Sequence, residues 1–254
     1  MGIPEALLAA GLPPLARAAW VEVSLDAIAN NVRSLKARLP EGGHLDVVLK
    51  SNAYGLGAVQ IARASIAAGA RAVLVATVDE AIQLRRAGIS APLRVLWRVP
   101  SEYLREAAQL EIGVPATSPA VVTELLAADL RGLSPLIVDV EVDTGLGRDG
   151  ILPDELEKQL TLLRAASDRI TLRGIWSHLT AAEDAPRSER QAERLNEVAD
   201  QLADPAAGGL SVGLERHLVG RDLHDRQRLP AGPPQRGMRG RAVLEREFVA
   251  QRHV

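Results

Sequence analysis

From about residue 20 onward, short runs of apolar and β-branched residues alternate with longer stretches whose apolar positions recur at helical spacing. The runs are Trp20–Val23, Asp46–Leu49, Ala72–Ala76, Leu93–Trp97, Ile112–Pro115, Leu136–Val142 and Leu172–Ser177. Between them, helical periodicity covers roughly 25–39, 58–68, 79–87, 101–109, 118–128, 154–166 and 187–203. IARASIAAGA closes on Gly69 and DEAIQLRRAG on Gly88, each a usual left-handed helix terminator. LIVDVEVD starts as a nearly unbroken apolar run, as a strand covered on both faces should. Strand–helix alternation at this spacing predicts a parallel sheet with right-handed crossovers. About seven such units without a glycine-rich dinucleotide fingerprint favour a (β/α)8 barrel of the TIM type over a doubly wound sheet.

The pattern breaks near residue 208. Between Glu215 and Val254 there are nine arginines, no lysine, and prolines at 230, 233 and 234; this stretch carries +4 against −6 for the rest of the chain. Neither period survives in RDLHDRQRLPAGPPQRGMRGR, which reads either as a disordered basic tail or as a frameshifted end of a G+C-rich gene. The expected organisation is an N-terminal extension over 1–19, a barrel domain over 20–207 and an aperiodic basic tail over 208–254. The runs after residue 40 supply six strands of the eight a closed barrel needs. The expectation is therefore an incomplete barrel, with no regular strand between Leu172–Ser177 and Asp46–Leu49.

Composition narrows the function classes. The chain has 254 residues and a net charge of −2, which argues against a strongly basic nucleic-acid binder. There is no cysteine, so disulfides and thiolate metal sites are excluded, and no apolar run long enough to span a bilayer. MGIPEALLAAGLPPLARAAW lacks a basic start and is broken by Pro13 and Pro14, so it is not read as a signal peptide. A cytoplasmic location is expected.

Three segments carry candidate chemistry, each where a strand runs into its loop. In VVLKSNAYGLG, Lys50 ends an apolar strand, where partial desolvation lowers an amine pKa and frees it as a nucleophile toward a carbonyl. Tyr54 follows, with a phenol able to donate to an oxyanion. In VEVDTGLGRDG, Glu141 and Asp143 precede a Gly-x-Gly turn and Arg148, a planar donor suited to a carboxylate or cofactor oxygen. In GIWSHLTAAED, His178 follows the strand and suits acid–base chemistry or ring packing. A lone histidine has no metal-ligand spacing, so no metal site is expected. Taken singly, each segment has a plain alternative: a snorkelling lysine, a loop ion pair, a satisfied histidine.

Taken together and in order, they resemble the amino-terminal domain of alanine racemase over roughly residues 18–205. The family's V-x-K-x-N-A-Y-G-H-G is VLKSNAYGLG here; K-x-D-T-G-M-G-R-x-G is EVDTGLGRDG; G-x-x-T/S-H-x-x-x-A-D is GIWSHLTAAED. The resemblance implies pyridoxal 5′-phosphate as cofactor and racemisation of L-alanine and D-alanine for cell-wall D-alanine supply. It implies that Lys50 carries the cofactor as an internal aldimine and exchanges a proton on one face of the substrate. It places Tyr54 on the cofactor phosphate, His178 against its ring and Arg148 beside its phenolic oxygen and the substrate carboxylate. It also implies that the Leu146 backbone amide meets that carboxylate.

Two departures stand out. Leu56 replaces the family's histidine, and Glu141 stands where many members have a lysine, often carbamylated, that holds the arginine; a glutamate supplies a similar charge on a shorter arm. The resemblance further implies an H-x-x-N-S strand, of which ERHLVGRDLHD offers only an echo at His217, and a carboxyl-terminal β domain. That domain carries the second catalytic tyrosine across a homodimer, and nothing here corresponds to it. Racemisation takes a base on each face of the α-carbon, and this chain offers a candidate for one. Two other readings follow: a single-domain pyridoxal-phosphate-binding protein without racemase activity, and a non-enzymatic remnant of a disrupted gene.

Overall fold

Several helices begin where a short polar side chain accepts from the open amides of the first turn, as at Ser24 and Ser118, or where a proline removes one such amide, as at Pro153. In the computed structural model, which describes residues 3–14, 16, 21–181, 184–202, 211–218 and 246–253, α1 (Ile3–Ala9) precedes α2 (Leu25–Lys36), whose cap Ser24 accepts from the Ala27 amide at 3.2 Å. Strand β1 (His44–Val48) leads through a tight turn, α3 (Lys50–Tyr54), into α4 (Ala58–Ala67). Then come β2 (Ala72–Val75), α5 (Val78–Arg86), β3 (Leu93–Val95), α6 (Leu104–Gln109), β4 (Ile112–Ala116) and α7 (Pro119–Ala127). Last come β5 (Leu136–Glu141), α8 (Pro153–Ala165), β6 (Ile170–His178), α9 (Ala185–Leu202), β7 (Ser211–Leu218) and β8 (Arg246–His253). The run expected at Trp20–Val23 makes no strand over 21–23, and Trp20 lies outside the described residues.

Strands β1 to β6 are the six parallel strands that the alternation predicts, paired in sequence order. The expectation of a gap between β6 and β1 is corrected. β7 adds parallel to β6, with Gly174 opposite Ser211 and His178 opposite Glu215. β8 runs antiparallel to both β7 and β1, with Val47 opposite Phe248, and closes the ring. The physical reason is that the free edges of β6 and β1 expose ladder amides and carbonyls that need partners. SVGLERHL and REFVAQRH can pair with them because Pro230, Pro233 and Pro234 lie between these strands, not in them. The barrel is thus TIM-type through its parallel strands and departs from that type in its antiparallel closing strand.

The two faces of the strands bury different things. Outward, Val47, Val73, Leu93, Val114, Val138 and Val140 pack under the helices with Leu84, Leu104, Leu125 and Leu160. Inward, Val48, Ala72, Leu74, Leu96 and Trp176 form a separate apolar cluster inside the barrel. One layer deeper, the alternating period places Asp46 of β1, Arg94 of β3 and Asp139 of β5 together, all buried. Arg94 Nη1 lies 3.4 Å from Asp46 and its Nε 3.9 Å from Asp139. Arg71 binds Asp46 through two nitrogens at 3.0 and 3.2 Å, and Arg173 grips Asp139 in the same forked way. Gly113 leaves the room that this requires: a Cβ there would stand 2.6 Å from the Arg173 guanidinium.

Burial alone would raise the Asp139 carboxyl. The charges of Arg94 and Arg173, with the Arg173 hydrogen bond, outweigh it and hold the group below the usual carboxylate range. A carboxyl depressed in the folded state adds stability above its unfolded pKa of about 3.9, and that stability is lost as pH falls through the folded value. Asp139→Asn leaves Arg94 and Arg173 short of a counter-charge and should cost about 3–5 kcal/mol at neutral pH. Urea unfolding at pH 7 and at pH 3 checks this: the gap between variant and wild type should narrow in acid. A gap of the same size at both values would remove the network from the stability of the barrel.

Candidate functional site

The carboxyl ends of the parallel strands share one rim, where catalytic residues of a βα barrel collect. Lys50 sits two residues past Val48, itself in the lumen cluster, and is half-buried. The chain then makes an unusual move. Ser51, Asn52, Ala53 and Tyr54 all have φ between 52° and 56°, a full left-handed turn built without glycine. Such a conformation costs L-residues roughly 1–2 kcal/mol each. The turn is held by neighbours: the Asn52 side chain accepts from the Ala58 amide at 2.8 Å, and Glu80 accepts from the Asn52 amide at 3.3 Å. Tyr54 projects from this turn with its side chain partly exposed.

At the end of β5, Glu141 is buried on the same strand face as Asp139. Asp143 then gathers the following turn: its carboxylate accepts from the amides of Gly145, Leu146 and Gly147 at 2.8–3.1 Å. The Leu146 amide, expected to meet a substrate carboxylate, here donates to Asp143 Oδ1 at 2.8 Å. Gly150, at φ 115°, allows the loop to return against its own strand; a Cβ there would meet the Asp143 nitrogen at 2.5 Å. Arg148 is about half exposed and lies 3.8 Å from Asp149.

At the end of β6, His178 is buried beside Trp176 on the lumen strand. The buried Gln191 of α9 ties this strand end to the β5 loop. Its Nε2 donates to Thr144 Oγ1 (3.2 Å) and to the His178 carbonyl (3.3 Å), and its Oε1 accepts from the Thr180 amide (2.8 Å). Thr144 and Ser177 share a hydroxyl hydrogen bond of 2.7 Å, and Arg194 donates to the Thr144 carbonyl at 3.1 Å. Lys50, Tyr54, Glu141, Leu146, Arg148 and His178 therefore all lie on loops and strand ends of one rim. His217 belongs to β7, whose side chains lie outside the described residues. Among the described residues no cluster of histidines and carboxylates could hold a metal, and no helix is long and apolar enough to cross a membrane.

Residues 23–219 match the amino-terminal domain of alanine racemase. The chain belongs to the alanine racemase family. It is 34% identical over 187 residues to alanine racemase 1 of Bacillus subtilis, covering 73% of this chain and 48% of that one. It is 40% identical over 186 residues to the alanine racemase of Mycobacterium avium, covering 72% and 48%. The Bacillus anthracis alanine racemase, solved with bound L-Ala-P, superposes with a TM-score of 0.69 at 32% identity, covering 80% of this chain and 53% of that one. The chain thus spans about half the length of the relatives that it matches. The alanine racemase family is pyridoxal-phosphate-dependent.

Sequence reading missed Gln191, Glu80 and the amide-gathering part played by Asp143. A glutamine in an amphipathic helix has no local signal; the nearest available hint was a polar residue on the apolar stripe of α9. Gln191→Leu strands the Thr180 amide and the His178 carbonyl and should lower stability by about 1–3 kcal/mol. Chemical denaturation reads this directly; an unchanged midpoint would show that the two loops stand without the clamp.

Proposed function

We propose that this chain is the pyridoxal-phosphate-binding barrel of an alanine racemase, acting on L- and D-alanine in the cytoplasm. The observation that carries the reading is a half-buried lysine on a left-handed turn, at the same rim as the buried His178. The residues present fit the cofactor. Lys50 supplies the amine that holds it, Tyr54 a phenol for the phosphate, His178 a flat partner for the ring and Arg148 a cation for the phenolic oxygen. Pyridoxal phosphate, when bound, supplies the electron sink that stabilises the pair left by α-proton removal.

The chain's own residues do the rest. Val48, Leu74, Leu96 and Trp176 supply buried apolar surface within the barrel, and Val48 lies two residues before Lys50. Lys50, released as free amine, takes or returns the proton at the substrate α-carbon on the face that it covers. Arg148 orients the substrate carboxylate, steadied in this reading by the Glu141 carboxyl. Proton exchange on the opposite face needs a second base. The chain has two tyrosines, Tyr54 and Tyr103, and Tyr103 sits on the short turn that leads into α6 on the outer ring. That placement favours a second reading in which this chain binds cofactor and exchanges the α-proton on one face only. Racemisation would need the opposite-face base from outside these residues, since a second copy of the same sequence brings only the same two tyrosines.

Borohydride reduction with pyridoxal phosphate, then peptide mapping, should place the label on Lys50 alone of Lys36, Lys50 and Lys158. Label on either of the others, or none, ends this reading. Incubation of L-alanine in heavy water separates the two versions: α-deuteration with retention marks one-face exchange, and D-alanine marks racemisation. Glu141→Gln should weaken cofactor or substrate binding by roughly 1–3 kcal/mol, the scale of a charged hydrogen bond. A superimposable binding curve would reduce Glu141 to a strand residue.

A further inference from the structure

The left-handed turn after Lys50 has a conformational cost that its own sequence does little to offset. Only Asn52 among its four residues is suited to that region of backbone space. Such strain persists where the surroundings over-determine it. The surrounding element here is α5, which starts at the carboxyl end of β2, the strand beside β1.

Glu80 stands at the third position of α5 and completes a capping box with Thr77. Its two carboxylate oxygens face different tasks. Oε2 accepts from the amides of Ala76 at 2.9 Å and Thr77 at 3.3 Å, which is the cap itself. Oε1 turns the other way and accepts from the Asn52 amide at 3.3 Å, 28 residues earlier in the chain. A cap needs one oxygen; the second reaches the turn that carries the lysine. Asn52 is in turn anchored through its side chain to the start of α4, where Gly57 provides no side-chain cap. The turn is thereby strung between two helices, with Glu80 as the strut on one side.

We propose that Glu80 is a positioning residue for Lys50: its Oε1 holds the left-handed turn in register and so fixes where the amine stands. The inference rests on the reading of Lys50 as the cofactor lysine and deepens it.

Glu80→Gln separates the two tasks. The amide side chain has one acceptor oxygen, which serves the cap; its NH2 then faces the Asn52 N–H, donor against donor. Thr77→Ala is the complementary change, weakening the cap and leaving the contact to Asn52. Three readings decide the matter. Competitive acetylation compares Lys50 with Lys36 and Lys158 in the same molecule and needs no cofactor. Amide hydrogen exchange follows residues 51–55 against α5. Absorbance titration with pyridoxal phosphate gives the dissociation constant.

In Glu80→Gln, Lys50 should change its relative acetylation rate several-fold, the amides of 51–55 should exchange faster, and pyridoxal phosphate should bind about tenfold more weakly, as expected for one lost charged hydrogen bond. Its melting temperature should stay near that of the wild type. Thr77→Ala should melt earlier and leave Lys50 unchanged. Unaltered Lys50 acetylation in Glu80→Gln overturns the proposal, including where the turn exchanges faster, because Glu80 then only tethers backbone. A wild-type chain that takes up no pyridoxal phosphate at Lys50 refutes the proposed function instead, and the acetylation result still decides the part played by Glu80.

Discussion

Arg94 holds two buried aspartates from two other strands, and the barrel closes around that contact. Asp46, Arg94 and Asp139 come from β1, β3 and β5, alternate strands, so one interaction sets the relative height of all three. Charges taken out of water are tolerable only when paired and hydrogen-bonded, and here Arg71 and Arg173 complete the pairing from either side. An apolar layer at this depth would tolerate a register slip. A forked guanidinium–carboxylate contact has far less tolerance.

Above that layer the lumen changes character. Val48, Leu74, Leu96 and Trp176 form buried apolar surface inside the barrel, next along their strands from the charged layer toward the rim. The rim itself is irregular backbone, and its geometry is supplied by polar side chains that collect amides: Asp143 for the β5 loop, Gln191 for the β6 loop, Glu80 for the lysine turn. In each case the acceptor belongs to a neighbouring residue or a covering helix rather than to a ligand.

Two departures from the family motifs, Leu56 and Glu141, fall on this rim. Glu141 is buried where the resemblance implies a lysine that holds Arg148, and in this structure Arg148 reaches outward to Asp149. The β5 loop is nonetheless well defined, because its order comes from Asp143 and Gln191 and does not wait for the arginine.

Much of this was legible in the chain. The 3.6 and 2.0 periods located α2, the helices from α4 to α9 and the six strands from β1 to β6, because these elements bury an apolar face against their neighbours. That Lys50, Tyr54, Arg148 and His178 lie at strand ends or in the loops that follow was legible because those loop motifs carry their own glycines and polar residues in fixed spacing. Tertiary structure alone decided three things. The antiparallel β8 was hidden because strand pairing depends on which edge is left open, not on local composition. The lumen network was hidden because Asp46, Arg94 and Asp139 look like isolated charges until closure of the ring brings strands 45 or more residues apart into contact. The left-handed turn was hidden because Ser-Asn-Ala-Tyr has no local preference for that backbone; the Asn52 amide donating to Glu80 and the Ala58 amide of α4 donating to the Asn52 side chain hold it.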